Sequence, residues 1–356
     1  MQKKIDYQEV INKHLQTLKD LQAPSGLFRA SGVDVDTGYD KAWLRDNFYE
    51  CLAFMVLEDW EVVRKTYEAL LTIFVKHEWK IDHAIAKKPE FKHHYIHARY
   101  HPETFDEFWE DWGNKQNDAV GAILFMLGEL EYIHKINILD SEDRKRVVQK
   151  LVDYLQSLRY WEDPDSGVWE EDEEVHASSV GSCLAGLRSI NRLEYINVNE
   201  ELINKGQEAL DKLLPRESEK KFVDLALLTL IYPYNVVTAE QRDKILENVE
   251  YHLVKDMGVV RYKNDYYYNK NMDGRSEEAE WTFGFSWLAL IYSRMGNKDK
   301  ARQFMNLSFK TINDQEEIPE LYFSNTDEYN ANSPLGWSES MFVIALHNFQ
   351  KQDYKL

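Results

Sequence analysis

The sequence predicts an all-α fold of about twelve helices, arranged as six outer–inner pairs in two layers. Three observations carry this. Apolar residues recur at helical spacing through most of the chain, and all eight prolines fall between the periodic segments, where a missing N–H does no harm. Charged amphipathic segments alternate with segments almost free of charge. Indoles and polar residues gather in the connections that enter the uncharged segments.

Residues 6–22 open the pattern as a charged amphipathic helix, and 43–58 follow as an apolar one. Residues 60–80 are charged again. Residues 117–135 contain the uncharged run from Ala119 to Gly128. Residues 141–160 start on Ser141-Glu142-Asp143-Arg144-Lys145-Arg146, a sequence suited only to water. Residues 176–192 hold the run Ala177 to Leu187, whose small members (Ala177, Ser178, Ser179, Gly181, Ser182, Ala185, Gly186) permit close helix packing. The alternation continues through 199–213 (charged), 222–232 (uncharged from Leu225), 238–255 (charged) and 279–295 (uncharged from Trp281 to Ser293). It ends with 297–312, charged from Asn297-Lys298-Asp299-Lys300, and 336–349, uncharged at its core. A helix apolar on all sides is buried on all sides, whereas an amphipathic one faces water, so the even members form the inner layer. Residues 259–268 are the one place where a short hairpin is expected. No linker rich in Gly, Ser or Pro divides residues 1–356, which read as one domain.

Composition narrows the function. With 43 Lys+Arg against 62 Asp+Glu the net charge is −19, which excludes nucleic acid and anionic lipid as partners, since both need clustered cations. No apolar run reaches the roughly 20 residues of a membrane span. The start is charged and amphipathic with no apolar leader, so a cytoplasmic location is expected. Cys51 and Cys183 sit in apolar helical stretches and read as buried free thiols. His93, His97 and His101 have i,i+4 spacing, but no partner motif supports a metal, and no phosphate loop or nucleophile elbow is present. No metal or cofactor is therefore expected.

The aromatic content, 10 Trp, 21 Tyr and 16 Phe, fits either a bulky core or a cleft that stacks flat sugar rings. Antiparallel neighbours place every connection entering an inner helix at one end. Those connections hold Trp43, Trp109, Trp112, Trp169, Trp281 and Trp337. They also hold Trp169-Glu170-Glu171, where an indole beside a carboxyl raises its pKa as a general acid requires; a solvated acidic run at a helix start is the plainer alternative. Glu320, between Pro319 and Leu321-Tyr322, is either a base or a surface loop residue. Arg45-Asp46 beside Trp43 offers a donor fork and an acceptor for sugar hydroxyls, or a simple charge pair. Gln116 and Asp118, after Trp112, repeat the mixture.

Taken together these motifs resemble glycoside hydrolase family 15: glucoamylases, glucodextranases and related trehalases, and the glucoamylase-like domain of phosphorylase kinase alpha and beta subunits. The resemblance runs along nearly the whole chain. It rests on Ala-Trp-x-Arg-Asp-Asn (42–47), His-Ala-x-Tyr (97–100), His-Ala-Ser-Ser-Val-Gly (176–181), Leu-Leu-Pro-Arg (213–216), Glu-x-Glu-Trp (278–281) and Pro-Glu-Leu-Tyr (319–322). It is closest to the kinase domain. It implies an (α/α)6 barrel, with Glu170 as general acid and Glu320 as the general base that activates water. It further implies that Tyr39 helps hold that water, that Arg45 and Asp46 bind the terminal glucose, and that Trp112 lies at the substrate cleft. Glu171, Arg261 and Trp281 match further subsite residues. Asn117-Asp118-Ala119 departs from the family's Arg-Asp-Gly. The expected activity is an inverting, exo-acting α-glucoside hydrolase that acts on small soluble oligosaccharides. The alternative is a catalytically silent sugar-sensing domain like that of the kinase.

Overall fold

The computed structural model describes residues 6–33, 35–110, 112–265, 267–268, 278–352 and 354. Within them the outer layer comprises α1 (Tyr7–Leu21), α3 (Trp60–Lys76), α6 (Glu142–Leu158), α8 (Glu200–Leu213), α9 (Ala239–Leu253) and α11 (Lys298–Lys310). The inner layer comprises α2 (Leu44–Val56), α5 (Asn117–Gly128), α7 (Ala177–Ile190), a 3-10 helix (Leu225–Leu230), α10 (Phe283–Arg294) and α12 (Gly336–Lys351). All described residues of α7 except Arg188 are buried, whereas α8 buries only Leu202, Gly206 and Leu210. The inside–outside alternation thus holds, and the fold is an (α/α)6 barrel.

Two expected helices differ. The 60–80 segment breaks at His77 into α3 and a further helix, α4 (Glu78–Ala86). The 222–232 segment forms only the six-residue 3-10 helix. Asp224 caps Ala226 N–H at 2.7 Å and Pro233 follows at once, which leaves too short a run to nucleate an α-helix. Among the described residues of 259–268 the expected hairpin is not seen. Val259 instead exchanges two 3.0 Å backbone bonds with Trp281. That residue belongs to β3 (Glu280–Trp281), paired with β4 (Leu321–Tyr322) as β1 (Ala42–Trp43) is with β2 (Arg99–Tyr100).

Most outer helices begin differently from the inner α-helices; α3 is the outer exception, with no side-chain cap. α1, α6, α8, α9 and α11 start on a capping side chain: Asp6, Ser141, Asn199, Thr238 and Asn297. The inner helices α2, α5, α7, α10 and α12 have no side-chain cap. Their first turns converge on one end of the barrel, which directs several positive dipole ends toward it.

Below that end the axis is filled with rings. Phe48 packs on Tyr49 and Tyr234, and Tyr49 on Trp287 and Trp337, at centroid distances of 4.5–6.0 Å. Much of the aromatic excess is therefore core. The inner helices α5 and α7 approach closely: a methyl on Gly121 would lie 2.5 Å from the Cys183 backbone nitrogen. Gly121→Ala is expected to cost about 1–3 kcal/mol through overpacking, read as a lowered Tm. Cys51 and Cys183 are buried and free. Among the described residues no helix is long and apolar enough to cross a membrane.

Candidate active site

Arg45 organises the site. It lies in the first turn of α2, just after β1 has set Trp43 in an extended conformation. Its Nη1 donates to Gln116 Oε1 at 2.8 Å and Asp118 Oδ2 at 2.9 Å, and its Nη2 donates to Glu170 Oε1 at 3.0 Å. Gln116 and Asp118, at the start of α5, thus brace the guanidinium from behind.

Glu170 adopts φ 64°, a left-handed conformation that costs a non-glycine residue on the order of 1 kcal/mol. The turn is held by Glu170 N–H to Gly167 O and Glu171 N–H to Ser166 O, flanked by reciprocal 2.9–3.0 Å bonds between Asp165 and Glu174. Gly113 packs so closely under it that a methyl there would meet the Glu170 carbonyl at 2.5 Å. The consequence is that two successive glutamates diverge. Glu170 reaches the cavity with its side chain 20% exposed. Glu171 turns to Arg261 (2.8 Å), Tyr262 (2.7 Å) and Lys221 (3.0 Å). Burial pushes the Glu170 carboxyl up to about 7, reinforced by Asp46 and opposed by Arg45. Burial acts on Glu171 too, but Arg261 and Lys221 outweigh it and hold that carboxyl low.

Glu320 lies immediately before β4 and is 1% exposed. Its backbone is clamped by Glu320 N–H to Asn332 O (2.9 Å) and Thr282 N–H to Glu320 O (3.1 Å). Its carboxyl accepts from Asn330 Nδ2 and Asn332 Nδ2, each at 2.6 Å, and from Tyr39 OH at 2.9 Å. Burial raises its pKa, while these three donors favour the ionised form and limit the rise.

Both carboxyls line one cavity of about 70 Å³. Its walls include Tyr39, Trp43, Arg45, Asp46, Trp169, Arg261, Trp281 and Trp337. Burial lifts Asp46 to about 6, against the pull of Arg45. Trp169 is tied by Nε1 to Asp224 Oδ1 at 2.9 Å and packs on Trp281 and Trp337 at 5.9 and 6.2 Å. The indole N–H groups of Trp281 and Trp337 are buried without a partner. An unpaired buried donor is costly, and here both belong to cavity walls.

Ten of the fourteen residues expected from sequence therefore meet in one cavity. Gln116, Asp118 and Glu171 support it from outside. Trp112 stands behind Trp43, in edge contact at 6.1 Å. The 93–101 stretch is not helical, since 92–94 is a single 3-10 turn and 99–100 a strand, so the histidine spacing has no common face; His97 stacks on Trp112. Sequence reasoning missed Tyr267, Asp224, Asn330 and Asn332. The alternation Asn330-Ala331-Asn332 was the available sign of the last two, because residues i and i+2 of an extended segment share a face.

A ring of inner helices whose N-termini surround paired buried carboxyls and indoles defines the glucoamylase-like class of α/α barrels. The model of the glycosyl hydrolases family 15 matches residues 5–283, and the chain belongs to this family. The probable phosphorylase b kinase regulatory subunit alpha of Drosophila melanogaster is 25% identical over 95% of the chain and 32% of its own length. The chain thus spans about a third of the curated relatives it matches. Among solved structures, a glycosidase variant in complex with glucose superposes with TM-score 0.82 at 17% identity over 97% of both chains. The glucoamylase from Saccharomycopsis fibuligera does so with TM-score 0.69 at 14% identity, over 100% of this chain and 98% of its own.

Proposed function

We propose that the protein is an inverting, exo-acting α-glucoside hydrolase that releases glucose from small soluble oligosaccharides such as maltooligosaccharides. The observation that carries this reading is the pair of buried glutamates on one cavity, one beside the Arg45 guanidinium and the other held by three neutral donors. Glu170, kept protonated near neutrality, gives its proton to the glycosidic oxygen as the bond to C1 breaks. Glu320, in its ionised form and held by three donors, takes a proton from the water that attacks C1 from the other face. Tyr39 fixes the orientation of that base. Arg45 and Asp46 bind ring hydroxyls, and the free N–H groups of Trp281 and Trp337 supply two further donors. The walls of Trp43, Trp169 and Trp337 cover the apolar faces of the sugar.

Glucose release from a panel of α-linked di- and oligosaccharides tests the reading, with NMR of the first-formed anomer reporting β-glucose for inversion. No release from any member sinks it. The pH dependence has a definite sign. The acid works only while protonated, so the rate falls as pH rises through about 7. The base works only while ionised, so the rate also falls in acid, from a pH above the ordinary carboxylate range of about 4.3. A pH–rate profile checks both limbs.

Trp169 depends on Asp224 for its position. Asp224→Ala is expected to reduce kcat/KM roughly ten-fold and to move the alkaline limb, because the indole no longer walls the acid. An unmoved profile would leave Asp224 a structural residue only.

A second reading is favoured by the resemblance to kinase regulatory subunits: a domain that binds sugar without cleaving it. Calorimetric binding in the absence of glucose release selects it.

A further inference from the structure

A buried pair of ionisable groups lies outside the cavity lining. His14, on the outer helix α1, and Glu339, on the inner helix α12, are 2% and 0% exposed. His14 Nδ1 meets Glu339 Oε2 at 2.5 Å, and Phe342, one turn further along α12, packs on the His14 ring at 4.8 Å. Two apolar side chains of similar volume often hold a pair of helices together as well as a buried ion pair does. The second oxygen of the carboxyl is therefore the informative one. Glu339 Oε1 accepts the Ile318 N–H at 2.8 Å, and Ile318 stands two residues before Glu320.

The start of α12 grips the segment from Ile318 to Glu320 at several points. Ile318 O accepts from Leu335 N–H at 3.0 Å. Thr282 Oγ1 donates to Pro319 O at 2.6 Å and bonds Ser338 Oγ at 2.8 Å, while Thr282 N–H donates to Glu320 O. Pro319 has no N–H to give, so the N–H of Ile318 is the last backbone donor before that of Glu320. It is turned to a side-chain carboxyl, and His14 orients that carboxyl from the outer layer. A short chain of contacts thus runs from α1 through Glu339 and Ile318 to Glu320.

We propose that His14 and Glu339 are positioning residues for the general base: they fix the backbone that carries Glu320, so that its carboxyl stays against Asn330, Asn332 and Tyr39. The proposal rests on the reading of Glu320 as that base. The test replaces the pair by an apolar one, His14→Leu with Glu339→Leu, which keeps the core filled and frees the Ile318 N–H. The folded variant is expected to lose about ten- to a hundred-fold in kcat on maltose with KM unchanged. The acidic limb of the pH–rate profile should move to higher pH, because a carboxyl parted from its donors ionises less readily, while the alkaline limb set by Glu170 stays. Tyr39, Tyr267, Tyr268 and Arg261 also face Glu320, but all titrate above that limb. Glu339→Gln alone, whose amide keeps an acceptor for Ile318 and a donor for His14, should lose much less. The same apolar pair is also placed in Glu320→Ala, with azide as nucleophile and an α-glucosyl fluoride as substrate. The rescued rate should fall no further, since no base is then left to position. An unchanged kcat, two limbs that move together, an equal fall in the rescued reaction, or a protein that no longer folds each overturns the positioning role. Absence of glucose release from the wild type, or full turnover by Glu320→Ala, instead overturns the reading of the base, and this proposal with it.

Discussion

Glu170→Gln is expected to lower glucose release by roughly 10²–10⁴-fold, the usual contribution of a positioned general acid, while oligosaccharide binding survives. The substitution removes only the transferable proton. The amide is close to isosteric, and its oxygen can still accept from Arg45 Nη2, which now bonds Glu170 at 3.0 Å. The left-handed turn and its two backbone bonds do not involve the side chain, so the loop has no reason to move. The effect should also depend on the leaving group. An aryl glucoside that departs without protonation suffers much less than maltose. Parallel kinetics on both substrates, with calorimetry for binding, make the check. A rate equal to that of the wild type on maltose would remove Glu170 from the role of acid, and would direct attention to Asp46, another cavity carboxyl lifted by burial.

The second large effect belongs to Glu320. Glu320→Ala removes the base and leaves Asn330, Asn332 and Tyr39 pointing their donors at the space it occupied. Turnover is expected to fall by a similar factor, roughly 10²–10⁴. The vacated, donor-lined space suits a small anion. Azide should therefore restore cleavage of an activated glucoside and yield the β-glucosyl azide, since attack comes from the face the water uses. NMR of the product reads this out. An α-configured azide would contradict inversion, and the absence of rescue together with intact wild-type turnover would assign the base elsewhere. These two experiments also separate the enzyme from the sugar sensor, in which neither glutamate affects anything but binding.

How far the sequence reached can be judged element by element. The layer assignment followed from charge patterning, because a helix with no charge for three turns has only one place to go. It failed where length rather than pattern was decisive. Leu225 to Leu230 is as apolar as any inner helix, yet the cap at Asp224 and the ring of Pro233 leave room for no more than a 3-10 helix. The hairpin expected near Val259 failed because strand partners are chosen across the fold, and Trp281 proved the nearer edge.

For the site, the motifs of the chain sufficed to pick out ten residues that line one cavity, Glu170 and Glu320 among them. The connections entering inner helices meet at one end in any antiparallel two-layer ring, so their unusual residues had to converge. Which of two adjacent glutamates faces the cavity was settled only by the folded backbone: a positive φ at Glu170 sends it inward and leaves Glu171 to two cations and one hydroxyl outside. Likewise Gln116 and Asp118 look like ligand-binding groups along the chain but serve Arg45 in space. Periodicity and charge report how much each segment is buried, a property summed over many residues. The direction of one side chain depends on a few torsions and on partners hundreds of positions away, and only the assembled barrel supplies those.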